Sequence, residues 1–246
     1  MGAAVISMVK VHRRVTGAIV MVCMMATFAA PTVSGCSAAP HDEPEQSTAA
    51  TSPRRLTSDE ADRLAVVRFN NYRAKVLSVE GTVNGESGSA ATLRGWVDTV
   101  DHTGYGLVSS GRGGQFLSFW DSTSVNAQDF RGTDPPLPRP DSGWDSTTLA
   151  PDDSELAAAQ LMLISLSNDR PDNPQLLLQG GATWVGSGTV NGSDVDIMTG
   201  PMAPNATVSN IRYWVDGDGR LMRLQARLDG RTWSDFDFTA ASEVTF

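Results

Sequence analysis

The sequence predicts an α+β fold in which two helices cover one antiparallel sheet, and changes in the hydrophobic period indicate it. Residues 57–78 carry apolar side chains at spacings of three and four, which is typical of an amphipathic helix. After residue 79 the period falls to two, in short runs separated by glycine-rich turns, which is typical of antiparallel strands. Residues 156–166 interrupt the strands with a run that is apolar on nearly every side, which indicates a second helix buried against the sheet.

The first helix has a recognisable start. Thr57 and Glu60 form a Ser/Thr-x-x-Glu capping box, in which the Thr57 hydroxyl accepts from the Glu60 amide and the Glu60 carboxylate accepts from the Thr57 amide. From this cap we predict a helix of about 20 residues, roughly 30 Å long, that ends near Ser78. Because the helix is amphipathic, it requires a surface to pack against.

Four short runs follow the helix and predict a meander of strands at residues 79–83, 90–100, 105–109 and 116–120. The next stretch, residues 130–151, holds five prolines and many polar residues, so we predict a long irregular segment there. Trp144 lies inside this segment. Because a large aromatic side chain is seldom fully exposed, we expect Trp144 to pack against the domain.

The final third predicts the second helix and two hairpins. Acidic residues at 152–155 suit the start of a helix at residues 156–166. Asn191-Gly192 is a favoured hairpin turn between predicted strands at 182–190 and 195–199. The run Asp216-Gly-Asp-Gly219 joins strands at 208–215 and 220–228, and residues 232–238 and 243–246 complete the predicted sheet.

The N-terminus has the pattern of an export signal. Three basic residues, Lys10, Arg13 and Arg14, precede an apolar run at 15–30 and then small residues. The sequence Val33-Ser34-Gly35-Cys36 resembles the bacterial lipobox, in which the cysteine is acylated and becomes the first residue of the mature protein. A single transmembrane anchor is the alternative, but the apolar run of about 16 residues is shorter than the roughly 20 that span a bilayer core. We therefore predict lipid attachment at Cys36 and anchoring to the outer face of the cell membrane.

These signals divide the chain into three parts. Residues 1–35 are a lipoprotein signal peptide, residues 36–55 are a flexible tether, and residues 56–246 are one folded domain. The tether is rich in Ala, Ser, Thr and Pro, and such a composition buries too little apolar area to fold. Cys23 leaves with the signal and Cys36 is consumed by acylation, so no disulfide and no cysteine metal site is expected.

The charge of the chain excludes some partners. Removing residues 1–35, which hold three basic and no acidic residues, takes the formal charge from −9 to −12. Such an acidic domain repels nucleic acid, so we expect no nucleic-acid partner. It also repels anionic lipid surfaces, so membrane attachment is expected through Cys36 acylation. The same charge favours a monomer in solution, and nothing in the sequence indicates a cofactor or a metal.

A family resemblance rests on four stretches in the C-terminal half. They are residues 173–178 (NPQLLL), 185–195 (VGSGTVNGSDV), 213–216 (YWVD) and 220–224 (RLMRL). The chain is similar there to the LppX/LprG-type lipoproteins, actinobacterial members of the LolA-like carriers. The resemblance implies a curved antiparallel half-barrel, with helices closing its inner face over an apolar cavity that holds acyl chains. It also implies a lipid or glycolipid ligand and an envelope transporter as a candidate partner. The proline-rich segment and the polar Arg94 and Asp98 depart from that pattern.

On this basis a set of apolar residues is expected to face inward and form a ligand cavity. A curved sheet under an apolar helix can be filled either by side chains or by a ligand, and the sequence leaves both open. Each methylene of a bound lipid contributes about 0.8 kcal/mol on leaving water. The expected cavity residues are Leu93, Val97, Leu163, Ile164, Val195, Ile197, Ile211, Tyr213, Val215, Met222, Leu224 and Leu228.

Two other functions remain as alternatives to the carrier. The first is a non-catalytic envelope lipoprotein with a filled core that acts as an interaction or transporter-accessory module. Apolar residues exposed on the outer sheet face, for instance Trp96 and Trp214, would support it. The second is an enzyme, which we rank lowest. After the signal, the histidines are His41 in the tether and His102 in a turn, where a solvated side chain is expected.

Overall fold

The computed structural model describes residues 52–85, 90–111, 114–203 and 206–246. The signal sequence, Cys36, His41 and the tether up to residue 51 lie outside the described residues, so the expectations for them stay predictions. In the part of the chain that the structure describes, no helix combines the length and the apolar character needed to cross a bilayer.

Twelve strands and three helices are present in the described ranges, and the strands form one antiparallel sheet. The elements in chain order are β1 (Arg54–Arg55), α1 (Ser58–Ala74), β2 (Val76–Asn84), β3 (Ala90–Asp98), β4 (Thr103–Ser110), β5 (Gln115–Trp120), β6 (Ser124–Asp129), β7 (Asp145–Thr148), α2 (Glu155–Ile164), α3 (Pro174–Gln179), β8 (Thr183–Val190), β9 (Ser193–Thr199), β10 (Ile211–Asp216), β11 (Leu221–Arg227) and β12 (Trp233–Ala240).

The sheet consists of two meanders joined side by side. Strands β2–β7 form one meander and β8–β12 the other, and β12 pairs with β2 to make the sheet continuous. Strands β1 and β7 are the two edges, so the sheet stays open. The predicted α+β fold, with a curved antiparallel sheet and helices against it, is confirmed.

Helix α1 begins as the sequence predicts and ends earlier. The Thr57 hydroxyl accepts from the Glu60 amide at 3.3 Å, and the Glu60 carboxylate accepts from the Thr57 amide at 2.8 Å, so the capping box is confirmed. The predicted end near Ser78 is wrong, because Lys75 has a φ of 65° and stops the helix after Ala74. The residues from Val76 onward form strand β2 and pair with β3 instead.

Several elements were not predicted, and each lacks a strong local signal. Strand β6 is mostly polar, and β7, within the segment predicted to be irregular, is exposed along its whole length. Helix α3 has only six residues, with Asn173 as its N-cap and no fully buried side chain. At the C-terminus, the strand predicted at 243–246 is absent, since residues 241–246 form a turn and an extended tail.

The first strand lies inside the segment assigned to the tether. Arg54 and Arg55 pair with Trp184 and Thr183 at the edge of β8. The Arg54 guanidinium donates to both oxygens of Glu60 at 2.7 Å and lies 4.4 Å from the centre of the Trp184 ring. These contacts supply the order that the composition of residues 36–55 does not predict.

The inner face of the sheet, defined as the face that α1 and α2 cover, forms the main core. Tyr213, Leu224, Phe236, Gly81 and Leu93 are successive cross-strand partners, so they share this face. Side chains from both helices belong to the same buried cluster. Large buried aromatic residues fill much of the space beneath the helices, and the largest of them are Trp120, Phe236 and Phe238.

Helix α2 is held on this face by hydrogen bonds as well as by packing. The Trp120 indole donates to the Gln160 carbonyl at 3.0 Å, and the Gln160 amide donates to the Ser118 hydroxyl at 2.8 Å. The Ser154 hydroxyl caps the helix by accepting from the Ala157 amide. A buried glutamine is stable here because its side chain is hydrogen-bonded.

The outer face carries a second, smaller cluster around Tyr105. The Tyr105 ring lies 6.2 Å from Trp96, 6.4 Å from Trp144 and 5.9 Å from Phe246, and its hydroxyl donates to the Pro136 carbonyl at 2.9 Å. Residues 130–144 and the C-terminus therefore cover this part of the sheet. The expectation that Trp144 packs against the domain is confirmed.

Candidate ligand site

One apolar pocket opens between α1, α3 and the start of β10, with a volume of about 450 Å³. Its lining combines apolar residues, Leu64, Val67, Leu176, Leu177, Gly200, Pro201 and Tyr213, with the polar Arg68, Asp172 and Asn173. Leu64 and Val67 are buried on the side of α1 that faces the sheet, whereas Leu176 at the rim is 62% exposed. The pocket is thus closed by core residues at its base and bordered by an exposed aliphatic side chain.

Local backbone contacts place α3 over this pocket. Asn173 caps the helix by accepting from the Gln175 amide at 2.9 Å, and Pro174 occupies the first turn, where its missing N–H is not needed. The Asp172 amide donates to the Ala65 carbonyl of α1 at 2.9 Å. The Met202 amide donates to the Gly180 carbonyl at 3.0 Å, which fixes the loop after β9 against the end of α3.

Polar groups at the pocket are few. Burial raises the pKa of the Tyr213 hydroxyl, so this group is neutral. Arg68 lies at the rim, 3.4 Å from the Asp172 carboxylate, and also donates to the carbonyls of Ser165 and Ser167. The pocket therefore offers one neutral hydroxyl inside and one partly exposed ion pair at its edge.

The residues expected to line a cavity separate into groups. Six are buried in the packed core and three are half-buried against it. The buried six are Leu93, Val97, Leu163, Ile164, Val215 and Leu224. The half-buried three are Ile211, Tyr213 and Leu228. Of these nine, Tyr213 is the residue that lines the apolar pocket between α1 and α3.

The other three lie elsewhere. Val195 and Ile197 pair with Asp216 and Trp214, so they share the outer face and not the expected inner one. Met222 falls at the irregularity where Trp214 pairs with Arg223 but Val215 pairs with Leu221. The extra residue in β11 interrupts the alternation from which the sequence analysis placed Met222 beside Leu224.

Two further cavities differ in chemistry. One, of about 680 Å³, lies at the C-terminal end of α1, where Met222, Leu221 and Phe238 meet Arg73 and Arg220. The other, of about 590 Å³, is a charged groove on the outer face that includes Glu80, Arg94 and Asp237, and Leu93 also borders it. The α1–α3 pocket differs from both in its place, since α1 and α3 enclose it.

The two outer-face tryptophans whose exposure would support the interaction module are half-buried. Trp96 stacks on Tyr105, and Trp214 is covered by Arg223, whose guanidinium carbon lies 5.3 Å from the ring centre. Arg223 is held in place by an ion pair with Asp237. Neither tryptophan therefore forms an open apolar patch.

His102 and Ser167 are neighbours, but their hydrogen bonds indicate a structural role and not a catalytic one. The His102 ring nitrogen Nδ1 lies 2.8 Å from the Ile164 carbonyl oxygen, which requires Nδ1 to donate. The Ser167 hydroxyl donates to the Thr99 carbonyl at 2.7 Å and is 3.4 Å from the same Nδ1. A protonated Nδ1 cannot accept the serine proton, so this pair is not arranged as nucleophile and base. His102 is exposed, in keeping with the expectation of a solvated side chain, and this contact also ties its ring to the end of α2.

Sequence reasoning missed the role of α3 and of the loop after β9. Leu176 and Leu177 were noted within a family-like stretch, but their run is too short to show a helical period. Pro201 and Gly200 carry no signal of a pocket. The sign that could have been used is Asn173-Pro174, a helix cap followed by proline in the first turn.

Together these features define an open α+β half-barrel with an apolar pocket of ligand size under its first helix. Among solved structures, the chain is similar to the Mycobacterium tuberculosis lipoprotein LppX, at 14% identity over 77% of this chain and 97% of that chain, with a TM-score of 0.44. This is the type of lipoprotein that the four sequence stretches resemble.

A second solved structure is similar over a smaller share of its own length. It is the Pseudomonas aeruginosa MucA/MucB complex, at 18% identity over 74% of this chain and 55% of that chain, with a TM-score of 0.33. The present chain therefore spans about half the length of the chain that it matches there. No protein-family model matches the sequence. No curated protein matches it either.

Proposed function

We propose that this chain is an exported lipoprotein, anchored through acylated Cys36, that binds one acyl chain or a similar slender apolar ligand between α1 and α3. In this proposal residues 1–35 are removed as a signal peptide, residues from 36 to the start of β1 are a tether, and the remainder is one monomeric ligand-binding domain. Binding and presentation of the ligand, without catalysis, is its function. The observation that carries the proposal is the apolar pocket of about 450 Å³ between α1 and α3, with Tyr213 among its lining residues.

The size of the pocket limits the ligand. Pockets for small ligands measure about 300–1,000 Å³, and this one lies in the lower half of that range. The rest of the inner face is occupied by fully buried side chains, among them Trp120 and Phe236. One chain therefore fits better than a lipid with several chains.

The chemistry of the pocket also suits one apolar chain with a polar end. Leu64, Val67 and Leu177 supply apolar surface, and each buried methylene contributes about 0.8 kcal/mol. The Tyr213 hydroxyl can donate to a carbonyl or carboxyl oxygen of the ligand. Arg68, partly exposed at the rim, can face a polar group that remains in water.

Native mass spectrometry of the chain from residue 36 onward, with Cys36→Ser to prevent acylation, tests the proposal. We expect an adduct with the mass of one fatty acid or lysolipid after expression in a lipid-containing host, and its loss after organic extraction. A mass equal to that of the polypeptide, unchanged after incubation with oleic acid, would rule the pocket out as a lipid site.

A pair of matched variants locates the ligand. Leu176→Glu places a charge at the exposed rim of the pocket, and the affinity for oleic acid should fall about tenfold or more, which is about 1.4 kcal/mol. Leu137→Glu makes the same change at a residue that is 45% exposed on the segment covering the outer face, and binding should not change. Equal binding by the two variants would place the ligand elsewhere.

The interaction module remains the second candidate, and one observation favours it. Most residues expected to line a cavity are packed in the core, as a filled half-barrel requires. That function predicts no lipid adduct and unchanged stability when oleic acid is added. The mass spectrum of the Cys36→Ser chain therefore separates the two candidates directly.

A further inference from the structure

One end of the sheet brings together four segments, two of which line the apolar pocket, and we call it the α3 end. It consists of α3, residues 200–203, residues 206–212 and residues 227–233. Three backbone hydrogen bonds connect them: Met202 N to Gly180 O at 3.0 Å, Gly200 N to Ile211 O at 3.2 Å, and Arg227 N to Asn210 O at 2.9 Å. The α3 end is therefore one contiguous surface.

Large apolar side chains are concentrated on this surface. Leu176 is 62% exposed, Met202 40% and Val208 57%. Among the described residues, five large hydrophobic side chains are exposed, and the other two, Val100 and Leu137, lie elsewhere. Exposed apolar groups gathered at one place, and not scattered singly, indicate a surface that contacts something apolar.

Two arginines and a tryptophan lie at the same end of the sheet, on its outer face and thus opposite to the face that carries the pocket. Cζ of Arg212 lies 4.4 Å and Cζ of Arg227 lies 4.3 Å from the centre of the Trp233 ring. Among the described residues, neither guanidinium has a carboxylate at ion-pair distance, and Nε of Arg227 is buried without a hydrogen-bond partner. Burial, and then the neighbouring Arg227, lower the pKa of Arg212, but a guanidinium keeps its charge at any physiological pH.

The charge of the α3 end is opposite to that of the whole chain. Its four segments contain three arginines, Arg212, Arg227 and Arg231, and one acid, Asp229, while the chain carries a net charge of −9. One oxygen of Asp229 accepts from the amides of Arg231 and Thr232 at 2.7 Å, so this carboxylate is engaged by its own turn. The α3 end is thus a local positive site on an acidic molecule.

We infer that the α3 end docks onto an anionic lipid surface, with Leu176, Met202 and Val208 entering the boundary between headgroups and acyl chains. Arg212 and Arg227 then meet lipid phosphates, and Trp233 lies at headgroup level. Aliphatic tips, arginines and tryptophan in this arrangement are characteristic of interfacial contact. Each arginine near an anionic surface contributes to attraction that salt screens. The mouth of the α1–α3 pocket then faces the membrane, a consequence that rests on the proposed function.

A lipid surface fits these features better than a protein partner does. Stable protein interfaces bury about 1,200–2,000 Å² around a closely packed apolar centre. Here the three aliphatic side chains extend from separate segments, on α3 and two loops, and the half-buried arginines lie on the outer face at the same end of the sheet. Separate protruding tips can enter a fluid boundary without a complementary partner shape.

Flotation with vesicles tests the inference on the chain from residue 36 with Cys36→Ser, so that acylation cannot anchor it. We expect the chain to float with vesicles of equal parts phosphatidylglycerol and phosphatidylcholine, less with phosphatidylcholine alone, and less as NaCl is raised. The double variant R212Q/R227Q should lower the partition coefficient about tenfold. The control R73Q/R131Q makes the same charge change at exposed arginines outside the α3 end and should float like the unaltered chain.

The apolar half of the surface is tested in the same way. L176S/M202S should weaken flotation, whereas V100S/L137S, at the exposed hydrophobic residues outside the α3 end, should not. Circular dichroism melts of every variant exclude loss of fold as the cause. Absence of flotation for the unaltered chain, equal flotation of R212Q/R227Q and R73Q/R131Q, or retention only by a protein component would each overturn the inference.

Vesicle flotation and the ligand adduct in native mass spectra test the docking surface and the proposed function independently. Arg212 and Arg227 do not line the pocket, so R212Q/R227Q should keep the ligand adduct in native mass spectra while losing flotation. Flotation without any adduct would support the lipid-facing surface and contradict the bound ligand. An adduct without flotation would support the bound ligand and contradict the lipid-facing surface.

Discussion

The carboxylate of Glu60 has two kinds of partner at the start of α1. Arg54 donates to both of its oxygens at 2.7 Å, and the Thr57 amide donates at 2.8 Å. The hydrogen bonds from Arg54, followed by those from Thr57, lower the pKa of Glu60 to about 2, against a partial opposing effect of burial. The sequence predicts the Thr57 half of this arrangement, but Arg54 joins it only because β1 pairs with β8.

A pH dependence of stability follows from Glu60. Its pKa is lower in the folded chain, about 2, than the ordinary value of 4.5, so its contribution to stability is fully present above pH 4.5 and is lost as the pH falls toward 2. Glu60→Gln should therefore lower the urea midpoint at pH 7 and reduce its fall in that window. Glu243→Gln, at the exposed C-terminal tail, is the control. Identical pH profiles for the two variants would contradict the assignment.

The cap itself gives a second, pH-independent expectation. Thr57→Ala removes the hydroxyl that accepts from the Glu60 amide, so the free energy of unfolding should fall by about 1 kcal/mol. Thr57→Ser keeps an acceptor oxygen and should restore most of that loss. Urea denaturation of both variants at pH 7 measures it. An equal loss in the alanine and serine variants would show that packing, and not capping, is responsible.

At the level of the elements, glycines decide how closely β3 and β4 approach on the inner face. Gly95 and Gly106 are direct cross-strand partners. A Cβ on Gly95 would lie 2.1 Å from the Tyr105 carbonyl oxygen and 2.4 Å from the Gly106 Cα. Both are backbone atoms, which cannot move aside as the end of a flexible side chain can.

Gly95→Ala should therefore destabilise the sheet by about 1–3 kcal/mol through overpacking. The control is Gly217→Ala in the β10–β11 turn, where a Cβ has no atom within 4 Å, and its effect should stay within about 0.5 kcal/mol. Thermal unfolding followed by tryptophan fluorescence measures both. Equal stability of the Gly95→Ala and Gly217→Ala chains would contradict this prediction. It would mean that β3 and β4 can move apart at Gly95 at little cost.

The strength of the local sequence signal decides which helices and strands could be predicted. Helix α1, the meander of β2–β5 and the β8–β9 hairpin have strong local signals in their caps, periods and turns, and all are present. Asn191 and Gly192 both have positive φ, as the predicted Asn-Gly turn requires. Strands β6 and β7 have weak signals, because an exposed polar edge strand is defined by its neighbour and not by its own pattern.

At the level of the whole molecule, a buried hydrogen-bond network joins α1, the β3–β4 turn and the end of α2. The Asn71 side-chain amide donates to the Leu166 carbonyl at 2.7 Å, and the backbone carbonyl of Asn71 accepts from the Thr99 hydroxyl at 2.8 Å. The Ser167 hydroxyl donates back to the Thr99 carbonyl. These bonds connect the two helices to each other and to the sheet.

Asn71→Ala should lower the free energy of unfolding by about 1–3 kcal/mol, because the Leu166 carbonyl loses its donor while it remains buried. Asn168→Ala is the matched control. Asn168 lies two residues after Leu166, and its backbone amide, which donates to the Arg68 carbonyl, survives the substitution. Amide hydrogen exchange should show faster opening of α2 in Asn71→Ala alone. Equal protection in both variants would contradict a network that holds α2.

The sequence by itself determined the elements that depend on near neighbours: the capped helix, the period-two strands, the Asn-Gly turn and the export pattern that ends at Cys36. It also determined that an apolar helix must cover the sheet, since its residues cannot remain in water. These properties follow from interactions within a few residues.

Only the tertiary structure decided where the pocket lies and which apolar residues border it. The sequence pattern places Val195, Ile197 and Val215 together on the inner face. Val195 and Ile197 lie on the outer face instead, because register is set by pairing between strands. The pocket is made by Leu64, Leu177 and Pro201, which are far apart in sequence and meet through α3. Hydrophobic burial is non-directional, so a sequence specifies that residues are buried but not what they are buried against.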